Sequence, residues 1–126
     1  MSIIGIGTDI IEIDRIKKNF FRFGNKLAKK ILSIKEWEEY KRSLNKINFI
    51  AKKFVAKEAA AKALGTGINN GINFNQIEIY HNSLGKPNFR FLKNALKKFK
   101  EKKCKFAHVS ISDQKSYAHA IVILEN

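Results

Sequence analysis

Between residues 2 and 11 the side chains alternate with a period of two, the pattern of a strand. Ile4, Ile6, Thr8 and Ile10 fall on one face, and Ile3, Gly5, Gly7 and Asp9 on the other. The two glycines weaken the strand but clear room for another backbone or a ligand. After Glu12 the period lengthens to that of a helix. Ile13, Ile16, Phe20 and Phe23 form one stripe that ends at Gly24, while Arg15, Lys18 and Arg22 take the exposed side. A short helix over residues 27–32 follows. Ser33-Ile34-Lys35-Glu36 then reads as a capping box, with Leu32 and Trp37 spaced as its hydrophobic staple.

A long helix is expected from about Lys46 to Leu64, stopped by Gly65. At 100° per residue, Ile47, Ile50, Ala51, Phe54, Ala61 and Gly65 lie within about 60° of one direction. Glu58 projects into the middle of that stripe and Lys62 onto its edge. Ala56, Ala59, Ala60 and Ala63 make the opposite face small enough for close approach, which leaves Lys53 and Lys57 directed towards water. A polar loop over residues 69–75 leads to two strands, 76–81 and 88–92, joined by a turn. Ala95, Leu96 and Phe99 mark a lysine-rich amphipathic helix, and residues 106–112 and 117–124 form a final strand pair. Helices and antiparallel strands mix around the long helix without regular βαβ alternation. The fold class is therefore α+β, in one domain over residues 1–126.

Two carboxylates stand out against this pattern. Glu58, centred on an apolar stripe, is costly unless paired, protonated or metal-bound. Paired with Lys62 at i,i+4 it is worth only about 0.2–0.5 kcal/mol. Asp9, just before a helix, also reads as a cap. Taken together, two inward carboxylates, a lysine one turn beyond and the flexible turn Gly65-Thr66-Gly67 point to a divalent metal holding a phosphate.

These stretches resemble the 4′-phosphopantetheinyl transferases, and among them the short, single-unit kind. The resemblance rests on Gly5-Ile6-Gly7-Thr8-Asp9-Ile10-Ile11-Glu12-Ile13, on Phe54 to Gly67, on Leu84-Gly85-Lys86-Pro87 and on His108-Val109-Ser110-Ile111-Ser112. Position 113 is Asp where many members carry His, and no role is carried over to it. Val55 replaces a usually smaller residue. The implied reaction moves 4′-phosphopantetheine from coenzyme A to a serine of apo acyl carrier protein, for fatty acid biosynthesis. It releases adenosine 3′,5′-bisphosphate and depends on Mg²⁺. The resemblance makes Asp9 and Glu58 the metal ligands and sets Lys62 against the diphosphate. Glu58 and Lys62 are then catalytic, and Gly65, Thr66 and Gly67 approach the coenzyme. Either Glu58 or a metal-bound water takes the serine proton. Ser110 shares a polar row with Ser112 and His108, consistent with contacts to the nucleotide end, although a lone strand histidine equally reads as structural. The resemblance also implies a homotrimer, and docking of the carrier on the helix bearing Arg15, Lys18 and Arg22.

Composition narrows the alternatives. A net charge of +14 ordinarily signals nucleic acid. Yet 21 of the 25 cations are Lys and 4 are Arg, the residue suited to bidentate phosphate readout. Lys, Ile and Asn, all encoded by A- and T-rich codons, supply 51 residues, so much of the lysine reads as nucleotide bias. A coding sequence poor in A and T would remove that explanation. Phe20 and Phe23 fall at core spacing rather than as exposed stacking groups, against a nucleic-acid binder. A non-catalytic scaffold remains, in which Asp9 and Glu58 are merely a cap and an ion pair. No targeting leader or membrane span is expected. Cys104 is the single cysteine, which suits a reducing cytoplasm and an unreactive place at the start of a strand.

Overall fold

The computed structural model describes all residues 1–126. Strand β1, Ile3–Glu12, pairs antiparallel with β5, Tyr117–Glu125, whose other edge takes β4, Phe106–Asp113. One face of this sheet carries Gly7, Val122 and Val109 in register, then Asp9, Ala120 and Ile111. That face packs on helix α4, Lys46–Leu64. A Cβ on Gly5 would run into the Ala63 carbonyl, and one on Gly7 into that of Ala59. The room cleared by the glycines is thus filled by a helix backbone, and the alanines of α4 answer the glycines of β1.

The other face carries Ile6, Ile123 and His108, then Thr8, Ile121 and Ser110, then Ile10, His119 and Ser112. Ile6 is 58% exposed and Ile10 63%. The apolar face of β1 is therefore the open one, and its glycine–aspartate face the packed one.

Helices α1, Ile13–Phe23, α2, Asn25–Ile31, and α3, Ile34–Arg42, connect β1 to α4. Gly24, at φ 57°, donates its N–H to Phe20 O and breaks α1 from α2. The break leaves Phe23 overhanging and exposed, with the Arg22 guanidinium over its ring, instead of joining the buried stripe. After α4 come a 3₁₀ turn, Phe74–Gln76, the hairpin β2, Ile77–His81, and β3, Pro87–Phe91, and helix α5, Lys93–Glu101. Gln76 belongs to the turn and not to the strand. Its amide donates to Gly71 O and accepts from Ala95 N, clasping the loop to α5. Cys104 is buried, and burial pushes its thiol above the usual range, so it stays protonated.

The capping box at α3 forms as expected: Ser33 Oγ accepts from Glu36 N at 3.2 Å, and Glu36 Oε1 accepts from Ser33 N at 2.9 Å. Glu36 has a second task. Lys57 Nζ donates to Glu36 Oε1 at 2.5 Å and to Ile31 O at 2.7 Å, while Ile79 N donates to Glu36 Oε2 at 2.7 Å. One buried carboxylate thereby ties α4 to α3 and β2, and the lysine adds α2. Lys57 is 0% exposed and Lys53 4%, so neither points to water as helical arithmetic predicts. Burial pushes the Lys57 ammonium below the usual lysine range, and the Glu36 charge and hydrogen bond work against that fall. The reason is packing on nearly every side of α4. Its open strip is instead the one bearing Phe54, Glu58 and Lys62.

Candidate active site

On that strip Lys62 Nζ donates to Asp9 Oδ1 at 3.0 Å and to Thr8 O at 3.1 Å. β1 supplies the aspartate because its glycine face lies against α4, and α4 supplies the lysine from its last turn. The Asp9 side chain is 19% exposed and that of Lys62 50%. Glu58 lies half-buried one turn before Lys62. Burial and then the Asp9 charge raise its carboxyl above the usual range, and the Lys62 charge offsets part of this. No hydrogen bond to protein contributes to that balance. Asp9, Glu58 and Lys62 are thus one electrostatic unit: two carboxylates that repel each other and a lysine that bridges to one of them.

The turn after Lys62 is closed by its own backbone hydrogen bonds. Gly65 N donates to Lys62 O at 2.9 Å, and Thr66 N and Gly67 N donate to Ala61 O at 3.2 and 3.1 Å. Thr66 Oγ1 donates to Gly67 O at 2.9 Å. The donors of Gly65, Thr66 and Gly67 are spent on closing the helix, so the turn offers close backbone approach without free N–H groups.

His108 and Ser110 do not join this cluster within the chain. Both lie on the outward face of the sheet, opposite Asp9, and His108 Nε2 meets Glu125 Oε1 at 2.6 Å. Thr8 Oγ1 pairs with His119 Nε2 at 2.9 Å on the same face. Arg15, Lys18 and Arg22 are exposed on α1, with Lys18 3.2 Å from Asp14. Phe21 beside them is 72% exposed.

A cavity of about 210 Å³ lies on another side of α4, lined by Phe49, Lys52, Lys53, His81, Gly85, Pro87, Ile111 and Asp113. Burial, followed by the Lys53 charge, lowers the His81 pKa. Sequence reasoning gave His81 and Lys53 no role; the lysine pair at 52–53 and the Gly85–Pro87 turn were the available signal. Asp113 accepts from Asn48 Nδ2 at 3.1 Å. No group of three or more His, Cys, Asp or Glu side chains gathers in the chain.

Residues 5–122 match the family model of the 4′-phosphopantetheinyl transferase superfamily. The holo-[acyl-carrier-protein] synthase of Buchnera aphidicola subsp. Acyrthosiphon pisum is 65% identical over 126 residues, all of both chains. The crystal structure of holo-[acyl-carrier-protein] synthase from Neisseria meningitidis superposes with a TM-score of 0.92 at 40% identity, covering 99% of this chain and 100% of that one. The Helicobacter pylori synthase in complex with coenzyme A superposes with a TM-score of 0.83 at 32% identity, over 95% and 99% of the two chains. The α+β architecture and the full-length match agree, and the chain belongs to the 4′-phosphopantetheinyl transferase superfamily.

Proposed function

We infer that the chain is a holo-[acyl-carrier-protein] synthase acting as one unit over residues 1–126. It transfers 4′-phosphopantetheine from coenzyme A to a serine of apo acyl carrier protein. The observation that carries the residue assignment is the Asp9–Glu58–Lys62 unit on the open strip of α4. Its donor set is hard oxygen, and its two carboxylates repel each other, which a divalent cation would relieve. Two protein carboxylates are also the complement magnesium takes when substrate oxygens and water complete its shell. Asp9 and Glu58 would hold the ion, which when bound supplies charge neutralisation at the diphosphate. Lys62 stabilises the charge on the leaving phosphate oxygens. In the transfer, the serine oxygen bonds to the pantetheine-side phosphorus and the bridging P–O bond breaks. Adenosine 3′,5′-bisphosphate leaves and the serine proton passes to a base. Glu58, half-buried on the open strip of α4 beside Lys62, is a candidate for that base.

Lys62→Ala is expected to raise the Michaelis constant for coenzyme A about 10- to 100-fold, the scale of a lost hydrogen bond to a charged group. Lys41→Ala, which removes only an exposed pair with Glu38, serves as the control. Equal losses from both would remove Lys62 from the diphosphate. Steady-state kinetics with coenzyme A varied is the measurement.

The chain is proposed to work as a homotrimer in the cytoplasm, serving fatty acid biosynthesis. Ile6, Ile10, Phe106, Tyr117 and Ile121 leave an apolar sheet face open, and such a patch marks an association site. His108 and Ser110 lie on this same face, so they would reach a coenzyme only across a subunit boundary. Ile10→Lys, which inserts a charge into the patch, is expected to shift the protein to monomer in sedimentation and to lower transfer. A native protein that is monomeric at assay concentration would refute the trimer. No helix is long and apolar enough to cross a membrane.

Arg15, Lys18 and Arg22 are proposed to dock the acidic carrier protein, with exposed Phe21 beside them. Arg15→Glu with Arg22→Glu should raise the Michaelis constant for carrier at least about tenfold, since like charges then face each other. Coenzyme A affinity should stay within about twofold, because these residues stand off the site. Normal carrier use by the double variant, or tight competition by nucleic acid at physiological salt, would move docking elsewhere.

A further inference from the structure

Lys102, just beyond α5, reaches across the end of α4. Its Nζ lies 2.8 Å from the point that a Cβ on Gly65 would occupy. Gly65 sits at φ 80° as the C-cap of α4, three residues past Lys62, which is about 4.5 Å of helical rise. Glu58, Lys62 and Gly65 follow one another along the same side of the helix, so the Lys102 ammonium stands at the end of the strip bearing the active site. It forms no ion pair with any carboxylate of the chain. The negative end of the α4 dipole favours a cation there. The N–H groups of Gly65, Thr66 and Gly67 are already spent on Ala61 O and Lys62 O. An anion brought to this turn therefore finds no free backbone donor among them, but it does find the lysine.

We propose that Lys102 is a second cation for the coenzyme diphosphate, acting with Lys62 across the Gly65 turn. The proposal rests on the transferase reading above. It also assigns a reason for glycine at position 65 beyond its positive φ: any larger residue would displace the ammonium.

The test is Lys102→Met, which keeps the aliphatic stem and removes the charge, with Lys102→Arg as the conservative partner and exposed Lys97→Met on α5 as control. The Michaelis constant for coenzyme A should rise about tenfold in Lys102→Met, with kcat within about twofold and carrier use unchanged. Lys102→Arg should recover most of the loss, and Lys97→Met should behave as the native protein. Calorimetric binding of coenzyme A should show the same loss without turnover. Unchanged coenzyme A affinity in Lys102→Met, or an equal loss in Lys97→Met, overturns the proposal. If the native protein transfers normally while Lys102→Met is unaffected, only the role of Lys102 fails. If the native protein neither binds coenzyme A nor transfers, the transferase reading fails with it.

Discussion

Replacing Asp9 or Glu58 with alanine is expected to lower transfer at least about a hundredfold while leaving the fold intact. The rate loss is on the scale seen when one preorganised group is removed from charge developing in a transition state. Stability should not follow activity. Asp9 loses only a partly exposed pair with Lys62, worth about 0–1 kcal/mol. Glu58 is held with a raised pKa by burial and by Asp9, so its ionised form is a cost to the folded state. In linkage terms the folded chain binds the Glu58 proton more tightly than the unfolded one. Stability from this group therefore falls as pH rises from the ordinary glutamate range through the raised pKa. Glu58→Gln should match or exceed the native Tm at neutral pH, and the difference should shrink as pH falls towards the ordinary range. Excess chelator should abolish native transfer, and added magnesium should restore it. Thermal melts across pH beside turnover assays check both halves. Full transfer by either variant would remove the carboxylates from the chemistry, and a large loss of Tm would make them structural.

Lys57→Ala is expected to destabilise the protein by about 3–5 kcal/mol, because it leaves the Glu36 carboxylate buried without its cation. For a chain of this length the fall in Tm should exceed about 10 °C. Pairing Lys57→Met with Glu36→Gln removes both charges and should recover part of the loss, although Ile79 N and Ser33 N then donate to a weaker acceptor. Chemical denaturation of the single and double variants gives the coupling. A single variant within about 1 kcal/mol of native stability would show that this pair does not hold α4 in place.

The two lysines of α4 show where sequence reading stops. Lys57 and Lys62 sit on one helix five residues apart, yet one is sealed in the interior and the other meets Asp9 at the surface. Helical periodicity cannot rank the sides of a segment in which alanine occupies so many positions, because alanine fits both a tight helix–sheet contact and an open face. What decides the matter is Glu36, whose visible role in the sequence was the capping box. The box was legible because its partners are three residues apart; the ion pair was not, because its partners are 21 apart. The same limit applies to β1. Alternation was plain, but which face turns inward depended on α4 meeting Gly5 and Gly7 at a separation no local pattern records. Helix ends at Gly24 and Gly65 were readable, since left-handed φ at a helix terminus is a local demand on residue type. Asp9, Glu58 and Lys62 were identified by motif, and their mutual approach follows from the glycine–alanine contact that joins β1 to α4.

Transfer is measured by incubating the purified chain with coenzyme A, magnesium and apo acyl carrier protein, and weighing the carrier by mass spectrometry. The carrier is expected to gain one phosphopantetheine, with adenosine 3′,5′-bisphosphate released in equal amount and no gain on a carrier whose acceptor serine is alanine. A carrier that stays at its apo mass, with native chain that is folded and loaded with magnesium, would contradict the account.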